Sequence, residues 1–180
     1  VADAVNKATG ALVIAAVAGA GLCIAAIIVV GTADTVGRLL NRPVMGAVEI
    51  TEALLAAVIF LALPYAQRHN AHVVVDIVVQ SFSNRWRKIL YFFALVLTLA
   101  AFILLAKQSY EAAVQSWRVG EVSAGYLPIP VWLAKIMATT GLAIAVIETA
   151  RQIIWAILWP DLMFATQTPA SAEDVSMGQQ

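Results

Sequence analysis

The chain has 180 residues, of which 62% are hydrophobic and 12% charged; mean hydropathy is +0.86, and 11 basic residues balance 11 acidic ones. Soluble domains carry about 45–50% apolar and about 25% charged residues, so this composition excludes a soluble enzyme, a disordered chain and a nucleic-acid-binding module. The apolar segments are continuous and of helical length, not alternating ten-residue strands, which points to an all-α membrane protein and away from a barrel.

The first predicted span covers about 8–36. Ala8 to Ala33 carries no charge, and as a helix this run is about 39 Å long, enough to cross a core of about 30 Å with tilt. It exceeds a signal-peptide core of about 7–15 residues, so it reads as a retained helix. Cys23, the single cysteine, lies inside it; no intrachain disulfide or cysteine-based metal site can form. Asp34 and Arg38 close this span. The second span, about 46–66, opens with Glu49 and Glu52, three apart and on one helical face, and is uncharged from Ala53 to Gln67.

Between the second and third spans, His72, Asp76, Gln80 and Asn84 recur every four residues, with Val73, Val74, Ile77, Val78 and Phe82 on the other side. This pattern predicts a short amphipathic helix over about 71–84 lying in the membrane interface; the alternative is a loop covering helix ends. His69, His72 and Asp76 raise the question of a metal, but no third ligand is near, and a solvated polar face is the better reading. A haem protein would carry its histidines within the spans. The third span, about 87–107, follows Trp86-Arg87-Lys88, and the fourth, about 131–156, begins after Pro130 and contains Lys135, Glu148 and Arg151. Proline suits a first helical turn, where its missing N–H has no partner to lose. Trp132, Trp155 and Trp159 fall where interfacial aromatic belts are expected. Residues 1–160 thus form one four-helix membrane domain, and 161–180 a disordered polar tail.

Four spans put both termini on one side, and the cluster Arg85, Arg87 and Lys88 predicts that side to be cytoplasmic. Acids within spans are informative, because charge in lipid costs at least about 2.5–3.5 kcal/mol. Asp34, Arg38, Glu49, Glu52, Lys107 and Lys135 are expected at one end of the helices, and Glu148, Arg151, Arg68, Arg87 and Lys88 at the other. Such clusters are either proton or ion relays or paired charges that fix register or a partner interface; available basic partners favour the second. Small residues form stripes at Ala15, Gly19 and Cys23 and at Ala134, Ala138, Gly141 and Ala145, which permit close helix approach. The third span is bulky instead, with Phe92, Phe93, Leu95, Leu99, Phe102 and Ile103 expected to face lipid or a hydrophobic partner. No phosphate loop, nucleophile elbow or zinc-protease motif occurs, and no inverted pair of broken helices, so no catalytic, cofactor or metal residue is assigned.

The order of these features resembles a known family. Gly37-Arg38-Leu39-Leu40-Asn41-Arg42-Pro43 followed by Glu49 and Glu52, then Arg68-His69, His72-Val73 and Val75-Asp76, then Ser123, Leu127-Pro128-Ile129-Pro130 and Trp132, are similar to the small permease subunits of TRAP transporters, the DctQ-like family. The resemblance covers about 37–155; Ala71 stands where the family often has glycine. It implies a separate small permease chain in a bacterial inner membrane, partnered by a large permease subunit and a periplasmic substrate-binding protein. The assembly would import organic acids, such as C4-dicarboxylates or sugar acids, on a sodium gradient. Sodium and substrate sites would belong to the large subunit, leaving this chain as a scaffold in contact with membrane lipids. The candidate structural or interface residues are Arg38, Arg42, Glu49, Glu52, Arg68, His72, Asp76, Lys135 and Glu148. The competing readings are the small subunit of a tripartite tricarboxylate transporter and a haem or quinone membrane anchor of a redox enzyme.

Overall fold

The structure, a computed structural model, describes residues 2–69, 84–125 and 128–158. Among them are four helices, α1 (Ala2–Leu39), α2 (Ala47–Arg68), α3 (Asn84–Val119) and α4 (Val131–Leu158). Each is long and apolar enough to cross a membrane. The expected interfacial helix falls outside the described residues except for Asn84, which begins α3; the polar tail also lies outside them.

The helices form a row. α2 and α4 pair at the centre, α1 packs on the free side of α2, and α3 packs on α4. One end of the row, the terminal end, gathers the start of α1 and the ends of α2 and α4. The other, the loop end, carries the connections 40–46 and 120–130.

Two helix ends are built the same way. After α1, Asn41 adopts φ 54°, the Arg42 N–H donates to the Gly37 carbonyl at 2.7 Å and the Asn41 N–H to the Arg38 carbonyl at 3.1 Å. After α3, Gly120 adopts φ 63°, with Glu121 donating to Ser116 at 3.0 Å and Gly120 to Trp117 at 3.3 Å. A left-handed residue just past the helix turns the chain back onto the last free carbonyls, and glycine and asparagine enter that conformation most readily.

Packing follows small residues. On α1 the buried seam is Val13, Ala16, Ala20 and Cys23, and the last three meet Ala57 and Leu61 of α2. Ala15 is exposed and Gly19 only half-buried, so the expected four-residue stripe is offset by one position. The alternation of three and four keeps a seam facing a neighbour inclined at a shallow angle, which a strict spacing of four does not. On α4, Ala138, Gly141 and Ala145 are buried as the stripe predicted. On α3, Leu95 and Phe102 turn inward, and Phe102 packs with Leu142 and Ala145; Phe92, Phe93 and Ile103 stay exposed.

α3 outruns its apolar stretch. The helix continues twelve residues past Lys107 to Val119, through Glu111, Ala112, Ala113 and Gln115, among which alanine, glutamate and glutamine are good helix formers. Lys107 therefore lies about 18 Å along the axis from the loop end of α3. It does not join a charge cluster at that end.

Candidate functional site

The most buried polar chemistry lies at the terminal end. Glu148 of α4 is fully buried. Its Oε1 accepts from Arg151 Nη2 at 2.5 Å, and its Oε2 from Arg151 Nε at 3.1 Å. Arg68 Nη1, at the end of α2, stands 3.5 Å from Oε2. Arg68 also reaches α1, donating from Nη2 to Asn6 Oδ1 at 2.8 Å and from Nη1 to the Thr9 hydroxyl at 3.4 Å. One carboxylate and two guanidiniums thus bind three helices together. The bidentate pair is favoured by spacing, because residues three apart lie one above the other on a helix. Arg68 comes from the last turn of its helix, where a cation also meets the negative end of the helix dipole.

Beside this triad two buried amides join α2 to α4. Gln67 Nε2 donates to Gln152 Oε1 at 2.8 Å, and Gln152 Nε2 donates to the Gln67 backbone carbonyl at 2.7 Å. Thr149, also buried, donates to the Ala145 carbonyl of its own helix at 2.8 Å. The sequence reading missed this amide pair. Its signal was present, since glutamine is out of place on an apolar helix unless a partner waits for it.

The loop end is less buried, and its pairs differ from those expected. Lys135 reaches Glu121 at 2.7 Å, not Glu52; among the described residues no ion pair joins Lys135 to Glu49 or Glu52. Glu121 went unread in the sequence because it lies beyond the apolar stretch of α3. The turn at Gly120 folds it back, so that Ser116 also donates to it. Val131 N–H to Glu121 O (3.1 Å) and Ser123 N–H to Ile129 O (2.8 Å) close the loop, with Val122 bridged to Pro130. Trp117 and Trp132 meet edge to face at 4.3 Å above it. Asp34 pairs with Arg38 at 2.8 Å, and its other oxygen accepts the Val44 N–H at 3.0 Å, tying the end of α1 to the first loop. Arg42 and Glu52 are exposed. Glu49 lies against Gly125, where any Cβ would overlap its carboxylate. His69 Nδ1–H donates to the Tyr65 carbonyl at 3.0 Å, and its ring packs on Tyr65. His72 and Asp76 lie outside the described residues. Among the described residues no group of three metal-ligating side chains comes together.

Lys135 and then Ser116 hold the Glu121 carboxyl below the usual carboxylate range, against a small opposing effect of burial. A carboxyl with a lowered folded value stabilises the protein above its ordinary value near 4.5, and that contribution is lost as pH falls through the folded value. The melting temperature of Lys135→Met should therefore lie below wild type at pH 7, and the gap should narrow as pH drops below 4.5. A gap that is constant from pH 7 to pH 3 would assign no role to this pair.

Residues 27–158 match the family described as tripartite ATP-independent periplasmic transporters, DctQ component. No curated protein gives a match. The matched region covers most of the chain and contains all of α2, α3 and α4, so the chain belongs to the DctQ family. This favours the TRAP small subunit over the tricarboxylate and redox-anchor readings, and makes the chain a transporter component in a membrane, not an enzyme.

Proposed function

We propose that this DctQ-family chain braces the large permease subunit of its TRAP transporter while that subunit moves organic acids, C4-dicarboxylates or sugar acids among them, on a sodium gradient. The observation that carries this reading is the terminal-end network. Glu148 pairs with Arg68 and Arg151, and Gln67 with Gln152, across helices that form a row, an arrangement that resists bending of the row; of these side chains only the Gln67 Oε1 is buried with no partner among the described residues. Buried polar networks with satisfied partners rigidify what they connect. Secondary transporters place substrate and ion sites on broken helices near the bilayer midplane; α1 to α4 run unbroken through their described lengths. Sodium and substrate are accordingly the business of the partner, with a periplasmic binding protein delivering the solute. On this reading the terminal end faces the cytoplasm of a bacterial inner membrane, an orientation that the Arg85, Arg87 and Lys88 cluster supports.

Reconstitution tests this. Proteoliposomes holding this chain together with its large permease subunit and binding protein should take up a C4-dicarboxylate or sugar acid when sodium is high outside, and neither membrane subunit alone should do so. Sodium-dependent uptake by this chain alone would overturn the bracing role. In the same complex a cysteine at Ser123 should react with an impermeant maleimide from the periplasmic side; protection there, with reaction at the terminal end, would reverse the orientation.

A further inference from the structure

The apolar run of α3 fixes the depth of this helix in a bilayer. Ile89 to Ala106 carries no charge, and as a helix this run is about 27 Å long, close to a hydrocarbon core of about 30 Å. Lys88 therefore stands at one boundary of the hydrocarbon and Lys107 at the other. Lipid headgroups lie just outside that boundary.

A groove of about 450 Å³ starts at Lys88 and runs into the hydrocarbon, lined among the described residues by α3 alone. Its walls are two ridges of residues four apart on the helix, Lys88, Phe92 and Val96 on one side and Ile89 and Phe93 on the other. Leu95 turns inward, whereas Ile89, Phe92, Phe93 and Val96 are exposed. The groove is thus apolar along its length and cationic at its mouth, where Lys88 is half-buried. Arg85 and Arg87 share the first turn of α3 with Lys88, and no acidic residue occurs between Asp76 and Glu111.

We infer that this groove holds one acyl chain of an anionic phospholipid whose phosphate rests on Lys88 at its mouth. A bilayer places an anionic phosphate and a hydrocarbon chain in this order and at this depth. A lysine stem can lie along the apolar wall while its ammonium reaches the phosphate. Three basic residues in one turn favour a lipid of net negative charge over a zwitterionic one, because each Lys or Arg near an anionic surface is worth about fivefold in affinity. A partner helix would lay a side-chain ridge in the same furrow, but only one carrying an acid at that height would meet Lys88. The inference stands apart from the bracing role, since the groove belongs to α3.

The test uses the full chain in nanodiscs of phosphatidylcholine with a minority of phosphatidylglycerol. A photoreactive benzoylphenylalanine at Phe93 should form phosphatidylglycerol adducts well above that lipid's share of the bilayer, read by mass spectrometry. The same residue at Leu22, exposed on α1 within its uncharged run, should sample the two lipids in proportion, and its adducts in each variant report equal insertion. Lys88→Gln should lower the enrichment at Phe93 by about fivefold, and Lys88→Arg should keep it. Equal lipid ratios at Phe93 and Leu22, or an enrichment unmoved by Lys88→Gln, would overturn the site. The complete complex with the large permease subunit should give the same lipid adduct. An adduct there to that subunit in place of lipid, or in either preparation to another segment of this chain, would show a protein in the groove and overturn it equally.

Discussion

Glu148→Gln should be among the most damaging single substitutions in this chain. The carboxylate is buried and its two oxygens accept from Nη2 and Nε of Arg151, with Arg68 also beside Oε2. Glutamine keeps the shape and removes the charge. Two guanidiniums, with side chains only 15% and 23% exposed, would then face each other across a neutral group. Removing one partner of a buried pair costs about 3–5 kcal/mol, chiefly because the charge left behind has nowhere to go. Arg68 would also lose the anchor that positions it for Asn6 and Thr9, so the start of α1 should loosen from α2. The measurement is thermal unfolding in detergent, with hydrogen exchange over residues 6–13. Replacing the triad together, as Arg68→Met, Glu148→Leu and Arg151→Met, should cost less than Glu148→Gln alone, since apolar replacement of a whole buried pair is often neutral. Equal stability of Glu148→Gln and wild type would show that these charges are reached by water, and would remove the main support for a rigid frame.

Much of this frame could be read from residue order, and the misses have a physical pattern. The spans were legible because uncharged runs long enough to cross a bilayer have few other uses. The α4 stripe was legible because Ala138, Gly141 and Ala145 stand out among bulkier neighbours. Glu148 with Arg151 was legible because spacing alone puts them in contact. On α1 the apolar residues surround the helix, so hydrophobicity could not say which side is buried. Ala16 and Ala20 were chosen over Ala15 by the shape of α2, which lies about forty residues away in sequence. Lys135 with Glu121 was illegible for another reason: the contact depends on a left-handed Gly120 and on a helix that continues well past its apolar stretch. Gln67 and Gln152 are neutral, so a search for charges passed over them, although they bond across the same interface as the ion triad.

The second large effect should come from one added methyl group. Gly141 lies against the backbone of α2 at Phe60 and Leu61; a Cβ on it would overlap the Phe60 carbonyl and stand 3.0 Å from the Leu61 nitrogen. The reason the carbonyl is there can be traced to Pro64, four residues on, buried within α2. Proline has no N–H, so the Phe60 carbonyl loses its helical donor. The Gly141 Cα–H fills that position as a weak donor, which only a residue without a side chain can do at this range. Two effects then compete in Gly141→Ala. Alanine is favoured over glycine within a helix by about 1 kcal/mol. Overpacking a tight contact typically costs about 1–3 kcal/mol, and more where the obstacle is backbone, which has no rotamer to change. The second effect should win: Gly141→Ala should lower the melting temperature despite its better helix propensity, and Gly141→Leu should prevent α2 and α4 from closing at all. Gly21, where a Cβ would meet nothing, supplies the control. Gly21→Ala should hold or raise stability by its propensity alone, so if both alanines behave alike, α2 and α4 are farther apart than their contact at Phe60 requires.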